Sequence, residues 1–90
     1  MKSYKFIARG RVQGVFYRKT VYENSTKDNF SGYVKNLPNG DVEACVTCDE
    51  NRINRFIEIL KKGSANSIVK NIEEDFCDET FNGNFEIRYD

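Results

Sequence analysis

The groups in this chain best suited to chemistry are an arginine, an asparagine and a run of loop amides, and they fall in two short stretches. In the first, Ala8-Arg9-Gly10-Arg11-Val12-Gln13-Gly14-Val15-Phe16-Tyr17-Arg18, the pattern runs from a strand through a glycine-bracketed loop to an arginine that opens a helix. That order suits the binding of an anion such as phosphate. Gly10 and Gly14 can take positive φ without a Cβ clash, so the N–H groups of the residues between them can turn inward as a nest of donors. The helix start behind the loop adds free N–H groups and partial positive charge. Arg18 contributes a planar fork that fits two phosphate oxygens, where a lysine would supply a point charge. Known phosphate loops do not match: the P-loop needs Gly-Lys followed by Ser or Thr, and the dinucleotide fingerprint needs G-x-G-x-x-G, whereas here G-x-x-x-G is followed by Arg18.

The rest of the chain bounds what such a site can be. Ninety residues predict a single domain over residues 1–90 with its function on one small surface. With 14 basic and 14 acidic residues the net charge is zero, so no overall field draws in nucleic acid or an anionic membrane, and an anion site must be built locally. Arg9, Arg11, Arg18 and Lys19 are expected to supply that local charge, with Glu73, Glu74, Asp75, Asp78 and Glu79 collected far along the sequence. Met1-Lys2-Ser3-Tyr4-Lys5-Phe6 lacks the apolar run of a signal peptide, which makes the cytoplasm the expected compartment. The odd count of three cysteines fits it. Cys45-Val46-Thr47-Cys48 has C-x-x-C spacing but lies in an alternating strand pattern, where positions three apart point to opposite faces. With no histidine in the chain, nothing completes a zinc site, and the thiols are expected to be packing or surface groups.

The elements that must hold the two stretches can be read from periodicity. Residues 4–9 predict a strand ending at Gly10, and residues 18–28 a helix anchored by Val21 and Tyr22. Residues 31–37 and 41–48 predict a hairpin across Pro38-Asn39-Gly40, with Val42, Ala44, Val46 and Cys48 on a buried face and Asp41, Glu43, Cys45 and Thr47 on a wetter one. Ile53, Phe56, Ile57 and Leu60 fall at i, i+3, i+4 and i+7, predicting a helix with Asp49 as N-cap and Gly63 as its stop. Strands are expected near residues 67–73 and over residues 85–89. The order β-α-β-β-α-β plus a C-terminal strand is the α+β, ferredoxin-like split βαβ sandwich, a mostly antiparallel sheet with two helices on one face. That fold by itself names no function.

Together the segment from Gly10 to Arg18 and the second stretch, Gly32-Tyr33-Val34-Lys35-Asn36-Leu37-Pro38-Asn39-Gly40-Asp41-Val42-Glu43, resemble the two signature segments of the acylphosphatase family. The resemblance extends over nearly the whole chain, including Gly63-Ser64 after the second helix and the closing Phe85-Glu86-Ile87-Arg88-Tyr89. It implies hydrolysis of the carboxyl-phosphate bond of small acyl phosphates by direct water attack. Arg18 and the amides of Val12, Gln13, Gly14, Val15, Phe16 and Tyr17 would hold the phosphoryl group, and Asn36 would orient the water. The side chains of Phe16, Tyr17 and Tyr33 are expected to pack rather than to touch substrate. Tyr33 stands where the family commonly has tryptophan, Ser25 and Asp28 where it has small apolar or leucine-like residues, and Asn29 where glycine ends the helix.

The composition agrees with such chemistry. A phosphomonoester expels a poor alkoxide and generally needs an acid, a metal or a covalent nucleophile, but the chain has no histidine and neither motif supplies a carboxylate pair. An acyl phosphate expels a carboxylate, already a stable anion near neutral pH. Amides, a guanidinium and a carboxamide can then suffice, with no metal, organic cofactor or phosphoenzyme. Inorganic phosphate is the expected product and a competitive inhibitor, and a monomer without nucleic-acid or membrane partners is the expected state. Two alternatives stand beside this reading: an acylphosphatase-like anion-binding regulatory or accessory module, and a ferredoxin-like RNA-binding domain using aromatic residues on its open sheet face. The second lacks the basic-Gly-aromatic-Gly/Ala-Phe-Val pattern.

Overall fold

The computed structural model describes residues 1–89. Its elements in chain order are β1 (Lys2–Arg11), α1 (Tyr17–Lys27), β2 (Ser31–Asn36), β3 (Val42–Cys48), a 3-10 turn (Glu50–Arg52), α2 (Ile53–Lys62), β4 (Ile68–Asp75) and β5 (Phe85–Arg88). The strands form a five-stranded sheet in the order β4-β1-β3-β2-β5. β1 is antiparallel to β3 and β4, and β2 is antiparallel to β3, whereas β5 lies parallel to β2. This is the expected α+β, ferredoxin-like arrangement, with β5 as an added edge. Among the described residues, no helix is long and apolar enough to cross a membrane.

One face of the sheet carries the core. Phe6, Ala8, Val34, Val42, Ala44, Val46 and Cys48 meet Tyr17 and Val21 of α1 and Phe56, Ile59 and Leu60 of α2. Phe56 is the hub, with ring centroids 6.0 Å from Phe6, 5.3 Å from Phe30 and 5.9 Å from Phe85. Asp49, expected to cap α2, instead precedes the 3-10 turn and makes no capping hydrogen bond with its side chain; Arg52 occupies the N-cap of α2. The tighter turn takes up the residues between β3 and the first apolar position of the helix.

The polar residues of α1 have specific places. Tyr17, Val21 and Ser25 form its buried stripe, and Tyr22, expected as a main anchor, is only partly buried beside the core. Ser25 lies fully buried with a hydroxyl that has no hydrogen-bond partner. Asn29 takes φ 61°, while its N–H bonds to Thr26 O and that of Phe30 to Ser25 O, at 3.0 and 2.9 Å. That pair of bonds is a Schellman stop, with Asn in the place glycine usually fills and Phe30 buried beyond it. Asp28 accepts Arg55 Nε at 2.6 Å and its carbonyl accepts Arg52 Nη2 at 2.6 Å, so a polar residue here ties the two helices together.

The other face of the sheet is drier than alternation predicts. Cys45 and Thr47 are buried, at 1% and 7% exposure, because the segment before β5 crosses over them. Phe81 packs edge-on against Tyr33 with ring centroids 5.4 Å apart, and its N–H donates to Thr47 Oγ1 at 2.9 Å. The Tyr33 hydroxyl donates to Glu43 Oε2 at 2.5 Å and accepts from the Cys45 thiol at 3.2 Å. Burial pushes that thiol up to about 12. The three cysteines are unbridged.

Candidate active site

β1 runs past the predicted stop at Gly10 and ends at Arg11. Gly10 marks a register break against β4 and has φ 132°. A Cβ there would lie 2.1 Å from the Ile68 carbonyl oxygen, so Gly10 serves the close approach of β4 rather than the bend of the loop. The bend belongs to Gly14, at φ 73°, and to Phe16, at φ 60°. Left-handed residues on either side of Val15 curl the chain into a concave loop before α1 begins.

Around this loop, among the described residues, the backbone N–H groups of residues 13–19 find no protein acceptor. The first intrahelical bond runs from Thr20 N–H to Phe16 O at 3.1 Å. The donors needed for an anion nest are therefore present as a contiguous set, combining loop amides with the open first turn of α1.

The loop is fastened from below. Val12 and Val15 insert into the core. Gln13 Nε2 donates to the carbonyls of Leu37 and Asp41, both at 2.8 Å, and so ties the loop to the β2–β3 turn. Ser64 Oγ donates to Val15 O at 2.6 Å. The Tyr17 hydroxyl donates to Leu60 O at 2.7 Å, and burial raises its pKa above the ordinary value. Such fastening fixes the donors before any ligand arrives, which lowers the reorganisation needed on binding. Gln13 thus has a second role, as a side-chain strut, that its position in the loop did not announce.

A cavity of about 290 Å³ opens over the loop, lined by Val12, Gly14, Phe16, Tyr17, Arg18, Lys19, Asn36, Ile87 and Tyr89. Among the described residues, Arg18 pairs with no carboxylate, and its guanidinium carbon stands 5.0 Å from the Tyr89 ring centroid. Asn36 is the last residue of β2, opposite Val42 of β3. Its Oδ1 is buried without a hydrogen-bond partner, a condition rare enough to call for a ligand or water as the missing partner. Among the described residues, no Asp, Glu, His or Cys lines the cavity.

Several expectations change here. Arg9 does not join the anion site: its guanidinium bonds to Asp41 Oδ2 at 3.1 Å and Glu73 Oε2 at 3.2 Å. The acidic stretch is distant along the sequence, but β4 lies beside β1 and brings Glu73 opposite Ile7. Phe16 does not pack; it is 74% exposed at the rim of the cavity. Ile87 and Tyr89 were not among the expected site residues. Their signal is topological, since the parallel pairing of β5 with β2 carries the end of the chain to Asn36's edge of the sheet.

A family model described as Acylphosphatase matches residues 4–87. An acylphosphatase of Syntrophus aciditrophicus is 36% identical over 86 residues, covering 96% of this chain and 88% of that one. One from Caldivirga maquilingensis is 37% identical over 89 residues, covering 96% and 93%. The crystal structure of the acylphosphatase from Bacillus subtilis superimposes with a TM-score of 0.87 at 37% identity, covering 99% of this chain and all of that one.

Proposed function

The chain belongs to the acylphosphatase family and is a hydrolase of that type, and on that premise we propose that its reaction runs on Arg18, Asn36 and the amides of residues 12–17. The observation that carries this assignment is convergence on one cavity: among the described residues, backbone donors, the Arg18 guanidinium and the Asn36 carboxamide oxygen meet there without a hydrogen-bonding or carboxylate partner. In the proposed reaction the phosphoryl oxygens of a small acyl phosphate sit on the loop amides, and Arg18 grips two of them. Water held by the Asn36 side chain attacks phosphorus opposite the carboxylate leaving group. The P–O bond to the acyl group breaks, the carboxylate leaves with the bonding pair, and the proton of the attacking water passes to the phosphate oxygens or to solvent.

Each group supplies a definite part of the barrier reduction. Amides and guanidinium stabilise the charge spread over the equatorial phosphoryl oxygens, and Asn36 removes the entropy of finding a water in line. Tyr17 is not placed to protonate a leaving alkoxide, because burial raises its pKa and its hydroxyl is committed to Leu60 O. Cys45 is no rival nucleophile, since its thiol lies on the covered opposite face and is held protonated. The proposal includes a site that works without metal, inorganic phosphate as product and competitive inhibitor, and a cytoplasmic monomer. The odd count of three cysteines favours that compartment.

The RNA-binding alternative gains nothing from the sheet, where Tyr33 is 3% exposed beneath Phe81 and the Arg88 guanidinium, 4.0 Å from its ring centroid. Substrate range tests the proposed chemistry. Acyl phosphates are expected to be hydrolysed at undiminished rate in excess chelator, with simple alkyl phosphomonoesters nearly inert under the same conditions. Restoration of a lost activity by magnesium or zinc, or comparable turnover of alkyl esters, would contradict it.

A further inference from the structure

The reaction at the cavity makes no use of the sheet face away from the helices, where Cys45 and Cys77 come together. Directly opposed residues of neighbouring strands share a face. The pairings Tyr33↔Cys45, Lys5↔Cys45 and Lys5↔Asp75 therefore set Tyr33, Cys45, Lys5 and Asp75 in one row. Asp75 is the last residue of β4 at one edge of the sheet, and the chain must next reach β5 at the other edge. It crosses this face to do so, and by Phe81 it lies over Tyr33 and Thr47. Cys77 stands at the start of that crossing. Two strand spacings, about 10 Å, separate Asp75 from Cys45, and two extended residues cover about 7 Å of that distance. The side chains close the remainder, leaving the two thiols within hydrogen-bonding reach of each other.

The two thiols differ in access and in what surrounds them. Cys45 is buried beneath the crossing segment, whereas Cys77 is only partly buried, so a small oxidant in solvent meets Cys77 first. Burial chiefly holds the Cys45 thiol protonated, and its contact with Cys77 adds to that. A route for its proton is nevertheless in place, because Cys45 Sγ donates to the Tyr33 hydroxyl at 3.2 Å and that hydroxyl donates to Glu43 Oε2 at 2.5 Å. Cys48 is not a competing partner: despite the C-x-x-C spacing, its side chain belongs to the core on the helix face of the sheet.

We propose that Cys45 and Cys77 form a redox-responsive pair, which a peroxide closes into a disulfide that fastens the crossing segment to the middle of the sheet. In the first step the Cys77 sulfur, as thiolate, attacks peroxide; the O–O bond breaks, Cys77 becomes the sulfenic acid and hydroxide leaves. The Cys45 sulfur then attacks the Cys77 sulfur and the S–O bond breaks. The Cys45 proton passes by way of Tyr33 towards Glu43 and solvent, and the expelled oxygen takes up a proton and departs as water. Overall two thiols lose two electrons and two protons, and hydrogen peroxide is reduced to two waters. A small thiol reopens the bond by exchange, as suits a disulfide that responds to redox state in a reducing compartment. The bond closes the chain from Cys45 to Cys77 into a loop that holds α2 and β4, and it restricts the unfolded chain far more than the folded one.

The test exposes the reduced, full-length protein to hydrogen peroxide and follows intact mass, free thiols and thermal midpoint. The mass is expected to fall by that of two hydrogens and the free thiols from three to one, with non-reducing digestion yielding a peptide pair joined through Cys45 and Cys77. The thermal midpoint is expected to rise by about 10 °C and to return on treatment with dithiothreitol. Cys77→Ser alters a partly exposed position outside the strands and is expected to fold as the wild type does, to form no such link and to show no rise. Oxidation of Cys77 to the sulfinic acid with Cys45 still a thiol would overturn the proposal. So would a link through Cys48 or between two chains, or a linked form whose thermal midpoint does not rise.

Discussion

Replacing Arg18 by alanine is expected to lower kcat/KM for an acyl phosphate by on the order of 100-fold or more, about 2.7 kcal/mol of transition-state stabilisation. The guanidinium lines the cavity beside the open amides and, among the described residues, has no carboxylate to neutralise it. Its loss removes charge and a bidentate grip at once. Arg18→Lys keeps the charge but not the fork, and is expected to fall between the wild type and the alanine variant. Inorganic phosphate is expected to inhibit the alanine variant much more weakly. Near wild-type hydrolysis by Arg18→Ala, with the fold intact, would remove Arg18 from the site.

Asn36→Ala is expected to act on a different step. The side chain stands at the end of β2 facing the cavity, with an oxygen that lacks a protein partner, and its proposed task is to hold the attacking water. The variant is therefore expected to lose on the order of 100-fold in kcat, as positioning groups do, while the inhibition constant of inorganic phosphate changes little. Removing a buried acceptor that has no partner among the described residues is not expected to weaken the fold, so the loss reads as chemistry. Collapse of phosphate binding with single-turnover chemistry preserved would exchange the roles of the two residues.

These roles were legible in the sequence to unequal degrees, for physical reasons. A positively charged fork after a glycine loop carries its own chemistry, so Arg18 could be read from residue type and spacing. An asparagine before a turn is ordinarily a local hydrogen-bonding group, and Asn36 stood out only through the resemblance of its whole segment to a known motif. The donors of the nest were expected between two glycines, but one of those glycines is spent on strand packing: Gly10 faces the Ile68 carbonyl, and Phe16 supplies the second left-handed residue. A phenylalanine at positive φ leaves no trace in a propensity reading, because the penalty is met by the fastening of the loop around it.

Long-range pairing hid the remainder. Arg9 reads as part of a basic cluster until β1 and β4 align and bring Glu73 to it. Tyr89 reads as the end of an alternating strand until β5 lies parallel to β2 and sets it over Arg18. The element order was accessible because each strand and helix has its own periodicity. The burial of Cys45 and Thr47 was not, since it depends on Phe81 folding back across the sheet from more than thirty residues away.

The central claim is that this site hydrolyses an acyl phosphate with fixed donors and a positioned water, and without a titrating acid or base. A guanidinium stays protonated at any ordinary pH, and a carboxamide and backbone amides do not titrate. Tyr17 is held as the phenol by burial, so raising the pH through neutrality leaves it unchanged. The substrate ionises lower in the range, with its second proton lost at or below about pH 6 by comparison with phosphate monoesters. The direct measurement is kcat against pH under saturating substrate, with the fold monitored throughout. The account predicts a nearly flat profile from about pH 6 to about 8, bounded only by substrate ionisation and unfolding; a sharp bell centred near neutrality in the folded enzyme would contradict it.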